Sequence, residues 1–102
     1  MQSQQTVRKN YIFEGKGLHT GRYARMTVCP APEDTGIVFR RTDLGEDALV
    51  PALAENVSNT ARSTTISSGN TSVSTIEHIL SALTGMGVDN AYIDIDNVEV
   101  PI

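Results

Sequence analysis

Glu77 and His78 stand side by side in the stretch 74–83, and both are residue types that move protons in catalysis. The stretch is the one convincing helix in the sequence. Ile76, Ile79, Leu80 and Leu83 recur at the spacing of a single buried helical face. At about 100° per residue those four fall in one arc, with Glu77 on its flank and His78 pointing roughly away from it. A Glu–His pair in the first turn of a helix, off the core face, can be a reactive site. Each residue also has a plainer account. Ser74 and Glu77 match a capping box, in which each side chain bonds the other residue's backbone N–H. A glutamate is favourable near the positive end of any helix, and His78 reads equally well as a surface histidine without a role. The other histidine, His19, lies in the loop 14–21, where Gly15, Gly17 and Gly21 let the backbone approach a partner closely. That loop does not lead into a helix and is not a Walker loop, so it is a weak phosphate signal. Its plain reading is an exposed loop that happens to carry a histidine.

The elements that must position these residues follow from alternation and turn chemistry. Residues 6–13 read as a strand with Val7, Tyr11 and Phe13 on one side. Residues 22–29 alternate, with Ala24, Met26 and Val28 inward and Arg25, Thr27 and Cys29 outward. The two flank the glycine loop and predict a hairpin. Pro30-Ala31-Pro32 ends the second strand. A third strand covers 37–41. Pro51 limits 48–54 to an edge strand, and 56–60 reads as a polar connection. Residues 63–67 and 71–73 flank Ser68-Gly69-Asn70 and predict a second hairpin. The helix runs from about 75 to 84, with Gly85-Met86-Gly87 ending it. Residues 90–96 form the clearest strand, with Ala91, Ile93 and Ile95 inward.

Composition narrows the function classes. A chain of 102 residues with 39% hydrophobic residues is one globular domain at most, with a modest core. No apolar run approaches the roughly 20 residues of a transmembrane helix. The polar start, without a signal region, and the single Cys29 predict a cytoplasmic protein. Cys29 has no second cysteine and is a poor metal-ligand candidate. The sequons at Asn56 and Asn70 read as chance. Residues 1–41 carry a net charge of +4 and residues 42–102 carry −8. This reads as acidic and basic strands lying beside each other rather than as an anion-binding face. No basic run with interleaved aromatics points to nucleic acid. The ending Val100-Pro101-Ile102 is apolar, and one helix under-covers five or six strands, so the chain reads as a piece of a longer protein.

Taken together, the motifs form a resemblance. They are Gly17-Leu18-His19-Thr20-Gly21, Pro30-Ala31-Pro32 with Thr35-Gly36, Arg40-Arg41-Thr42-Asp43-Leu44, Ser74-Thr75-Ile76-Glu77-His78, Gly87-Val88-Asp89-Asn90 and Val100-Pro101-Ile102. Any one is unspecific. In this order and spacing, from about Thr6 to Ile102, the chain closely resembles the N-terminal part of the bacterial UDP-3-O-acyl-N-acetylglucosamine deacetylases, zinc enzymes of lipid A synthesis.

The resemblance implies a role for each matched residue. His78 matches a zinc ligand, and Glu77 matches the general base on the zinc-bound water. Leu18 and His19 match a loop near the active site that helps hold substrate. It also implies that residues 1–102 are a truncated N-terminal deacetylase domain. The remaining zinc ligands, a second helix after residue 102 and a second domain would lie outside this chain. The expected fold is an α+β two-layer sandwich, a mostly antiparallel sheet of five or six strands with one main helix packed on one face. Two histidines and one cysteine are too few for a catalytic zinc site, which needs three protein ligands. The fragment alone is therefore expected to bind zinc weakly, not to catalyse, and to self-associate where the missing parts leave apolar surface bare. Two other readings stay open: a non-catalytic α+β binding or dimerisation domain, and a nucleotide-binding loop at 15–21 that Gly17→Val would disable.

Overall fold

Alternating apolar residues build the centre of the molecule. The computed structural model describes residues 3–45, 47–61 and 63–101. Met1, Gln2, Glu46, Arg62 and Ile102, which entered the readings of the polar start, the charge balance and the apolar ending, lie outside the described residues. Strands β1 (Tyr11–Lys16), β2 (Tyr23–Pro30), β3 (Ile37–Arg41), β4 (Leu49–Pro51) and β8 (Ala91–Ile95) form one sheet in the order β1-β2-β8-β3-β4. Strands β5 (Val57–Asn59), β6 (Thr65–Ser68) and β7 (Thr71–Ser74) form a second. All neighbours pair antiparallel except β3 and β8. One helix, α1 (Glu77–Gly85), completes the set with a short 3₁₀ turn, Ala54–Asn56.

The α+β class and the mostly antiparallel pairing agree with expectation. The strands divide into two sheets, however, because 57–59 is not a bare connection: Val57 pairs with Ile66 and extends the β6–β7 hairpin. Pro51 sits in β4 at a sheet edge, where its missing N–H is tolerated. The predicted strand 6–13 is broken. The chain bends at Arg8 and Lys9, so Thr6 makes only an isolated bridge to Asn90, and β1 begins at Tyr11 and runs on into the glycine loop.

β8 is buried at Ala91, Ile93 and Ile95, as its alternation requires, and Ala24, Met26 and Val28 of β2 are buried beside it. Phe39 and Val50 join Ile66 and Val73 of the smaller sheet, and Ile76 and Leu83 of α1, in one continuous core. Ile79 and Leu80 pack on it partly buried. The helix ends in a Schellman motif. Gly87 N–H reaches Thr84 C=O at 3.0 Å and Val88 N–H reaches Leu83 C=O at 2.9 Å. Gly87 takes the left-handed conformation this needs, with φ of 73°.

Two of the basic residues, Arg40 and Arg41, have acidic partners. Arg40 of β3 bonds Asp94 of β8, and Arg41 pairs with Asp43 at 2.7 Å. Arg41, itself buried, also donates to Ser72 C=O at 2.8 Å and ties the two sheets together. On β2, burial first and then the neighbouring Asp94 push the Cys29 thiol above its ordinary value, which suits a half-buried structural cysteine.

Candidate active site

The pair Glu77–His78 opens α1, but the capping box does not form. Ser74 is held in a strand instead: its N–H donates to Val98 C=O at 2.7 Å and its C=O accepts from Val100 N–H at 3.1 Å. The N-cap position falls to Ile76, which has no capping side chain. Glu77 turns to Thr64, whose N–H donates to Oε2 at 2.9 Å. Its other oxygen, Oε1, is buried without a hydrogen-bond partner. The carboxyl is held below the usual glutamate range by its own backbone N–H first and then by Thr64, with the adjacent His78 adding to the effect. Its own N–H lies near enough to favour the charged form but makes no regular bond to Oε1. The result is an ionised carboxylate with one oxygen fixed and the other uncommitted.

His78 is exposed, as the helical arc requires. It lines an open groove of about 840 Å³ whose other walls are mainly apolar, including Ile12 and Phe13 of β1, Val28 of β2, and Ile79 and Met86. Phe13 is 48% exposed and Met86 66%, unusual for side chains this apolar. Leu18 and His19 do not line this groove; both are exposed on their own loop.

What fixes that loop is a residue sequence reasoning missed. Glu99 is 1% exposed, and each group that meets its carboxylate is a donor. His19 N–H shares both oxygens at 3.1 and 3.0 Å, Thr20 N–H donates at 2.8 Å, and the Thr75 hydroxyl donates at 2.7 Å. Burial alone would raise its pKa. The bonds from Thr75, Thr20 and His19 outweigh burial and bring it to about 2. Gly17 is required by this approach, since a Cβ there would fall on the Glu99 carboxylate, 2.7 Å from its carbon. The glycine loop is therefore an anion-binding loop whose anion belongs to the protein. A nucleotide has no claim on those N–H groups, and Gly17→Val would disrupt the loop whether or not a nucleotide bound.

The described residues contain no group of three His, Cys, Asp or Glu side chains able to hold a metal ion. His78, exposed on α1, can offer one imidazole nitrogen, and its chain neighbour Glu77 has a buried, unpartnered oxygen, so the set fits part of a zinc site and not a whole one.

A family model described as UDP-3-O-acyl N-acetylglycosamine deacetylase matches residues 4–102. The chain belongs to this deacetylase family. Relatives in the family include a UDP-3-O-acyl-N-acetylglucosamine deacetylase of Citrifermentans bemidjiense, 54% identical over 97% of the chain and 32% of the relative. One of the same name from Pseudomonas entomophila is 48% identical over 97% of the chain and 33% of the relative. The bifunctional enzyme LpxC/FabZ of Porphyromonas gingivalis is 47% identical over the whole chain and 22% of its own length. The chain thus spans a third or less of the deacetylases just named. No helix among the described residues is long and apolar enough to cross a membrane.

Proposed function

We propose that this chain is the N-terminal part of a zinc-dependent, cytoplasmic hydrolase that removes the acetyl group from UDP-3-O-acyl-N-acetylglucosamine in lipid A synthesis. The observation that carries the reading is the uncommitted Oε1 of an ionised Glu77 beside an exposed His78, in a chain that belongs to the deacetylase family. His78 would hold zinc through one neutral imidazole nitrogen, with further ligands from the rest of the full-length polypeptide. When bound, zinc supplies a water whose pKa is lowered to about 7. Glu77 accepts the proton of that water, its Oε2 kept in place by Thr64 N–H. Side chains at adjacent helical positions diverge by about 100°, so one can ligate while the other addresses the water. Hydrolysis adds water to the acetamide carbonyl, breaks the C–N bond, and leaves acetate and a protonated amine. Leu18 and His19 border the substrate from their loop.

The competing reading, a binding or dimerisation domain without catalysis, explained Glu77 by the capping box, and that explanation is lost. The test is release of free amine from UDP-3-O-acyl-N-acetylglucosamine, with and without zinc. This chain is assayed beside the full-length protein, each with a His78→Ala control. Zinc-dependent activity is expected in the full-length protein alone and lost in its control. A folded, zinc-loaded full-length protein that releases no amine would return the binding-domain reading to the lead.

A further inference from the structure

Segment 98–101 threads between the two parts of the chain that matter most to the site. Gly17 bridges to Pro101 on one side, and Ser74 bridges to Glu99 on the other. From Glu99 a continuous run of hydrogen bonds leads to Glu77. The Thr75 hydroxyl donates to Glu99, Thr75 N–H donates to Thr64 C=O at 2.9 Å, and Thr64 N–H donates to Glu77 Oε2 at 2.9 Å. Thr75 is held with φ of 61°, a left-handed conformation that β-branched residues avoid and that persists only where surrounding bonds enforce it. Its hydroxyl and its N–H are both used to enforce it, at opposite ends of this path.

We propose that Glu99 is a positioning residue for the deacetylation site: it clasps the His19 loop and, through Thr75 and Thr64, aims the Glu77 carboxylate. The assignment rests on the deacetylase reading above. Glu99 touches neither metal nor substrate in this scheme. Its effect is to make the loop and the start of α1 one unit, so that Thr64 N–H holds Glu77 Oε2 and sets the direction of the carboxylate. An amide cannot replace the carboxylate, because its NH₂ would face one of the donors. The Thr75 hydroxyl is needed for its donor, and serine would supply it.

The experiment uses the full-length enzyme and its Glu99→Gln, Thr75→Val and Thr75→Ser variants, with melting temperature and zinc content measured for each. Glu99→Gln and Thr75→Val are expected to lower kcat by about 10²-fold, a larger change than the rise in KM from the loosened His19 loop, as misplacement of a reacting group does. Thr75→Ser should stay within about threefold of wild type, because it keeps the bond. In a Glu77→Gln background, Glu99→Gln should cost less than about threefold more, since the group it aims no longer acts. A purely structural role predicts losses that multiply in the double variant, and that result would overturn the proposal. So would folded Glu99→Gln and Thr75→Val enzymes with wild-type kcat. If Glu99→Gln does not fold, the contrast between Thr75→Val and Thr75→Ser decides. Amide hydrogen exchange gives a readout that needs no activity: Thr64, His19 and Thr20 should exchange about tenfold faster together in Thr75→Val. An inactive wild-type enzyme overturns the deacetylase reading. The coupling is then supported if Thr64 quickens and overturned if it keeps wild-type protection.

Discussion

The two flanks of α1 are built on opposite terms. At its N-terminal end the contacts are polar: Glu99, Thr75, Thr64 and the 17–20 loop bond one another, and Glu77 keeps one buried, unpartnered oxygen. Along the groove, Ile12, Phe13 and Met86 remain open to water, with Arg8, Glu14 and His78 among mainly apolar walls. The first flank is finished within this chain. The second resembles half of a core, with large apolar side chains left exposed. The difference separates two tasks. Holding the Glu77 carboxylate is local and polar; the groove side of the helix is apolar and open.

The comparison can be broken at either flank. The largest effect belongs to Glu77→Gln in the full-length protein, where steady-state kinetics should show a rate lower by about 10²–10⁴ with the fold intact. A near-normal rate would make the polar flank structural only. Next comes acid. Glu99 has a folded pKa of about 2 against an ordinary 4.5. A depressed carboxyl stabilises fully above its unfolded value and loses that stabilisation as pH falls through the folded one. Between pH 4.5 and about 2 the clasp should therefore give up on the order of 3 kcal/mol. Denaturant titrations across that window should show wild type losing more stability than Glu99→Gln, and parallel losses would remove Glu99 from the account. The smallest effect on stability is expected from Phe13→Ser in the groove, within about 0.5 kcal/mol as for other exposed positions. Its signature is association. Sedimentation of this chain alone should show self-association that Phe13→Ser reduces, and an unchanged profile would mean that the groove is not the sticky face.

That Glu77 and His78 lie off the core face was legible in the sequence, because helical spacing separates them from the buried arc of Ile76 and Leu83; a role for them came only from the family resemblance. The inward face of β2 and the whole of β8 were legible for the same reason, one buried face enforcing alternation, whereas β1 has no buried residue and its bounds were misplaced. The clasp was not. Glu99 sits between apolar residues in Asn97-Val98-Glu99-Val100-Pro101, and two of its partners are backbone N–H groups about 80 positions away, which carry no residue-type signal. Thr75 hides its role as well, since a β-branched residue is among the last expected at positive φ. The capping box misled because Ser74 met better partners in Val98 and Val100, a competition invisible at the level of a four-residue motif. The glycine loop invited a ligand for a sound reason, its exposed N–H groups, and only the fold shows that Glu99 already occupies them.

The position of β8 has a consequence for how the chain is made. β8 comes last in order and lies between β2 and β3, so the β1–β2 and β3–β4 hairpins have no strand to join them until it emerges. At roughly 5–20 residues per second, the ribosome needs about 3–10 s to pass from Arg41 to Ile95. During that interval Met26, Val28 and Phe39 lack their β8 neighbours Ile95 and Ile93, and the two hairpins each expose an unpaired edge. Translation speed over the second half of the message, and any chaperone waiting at the exit tunnel, should therefore govern the yield of folded protein more than its final stability does.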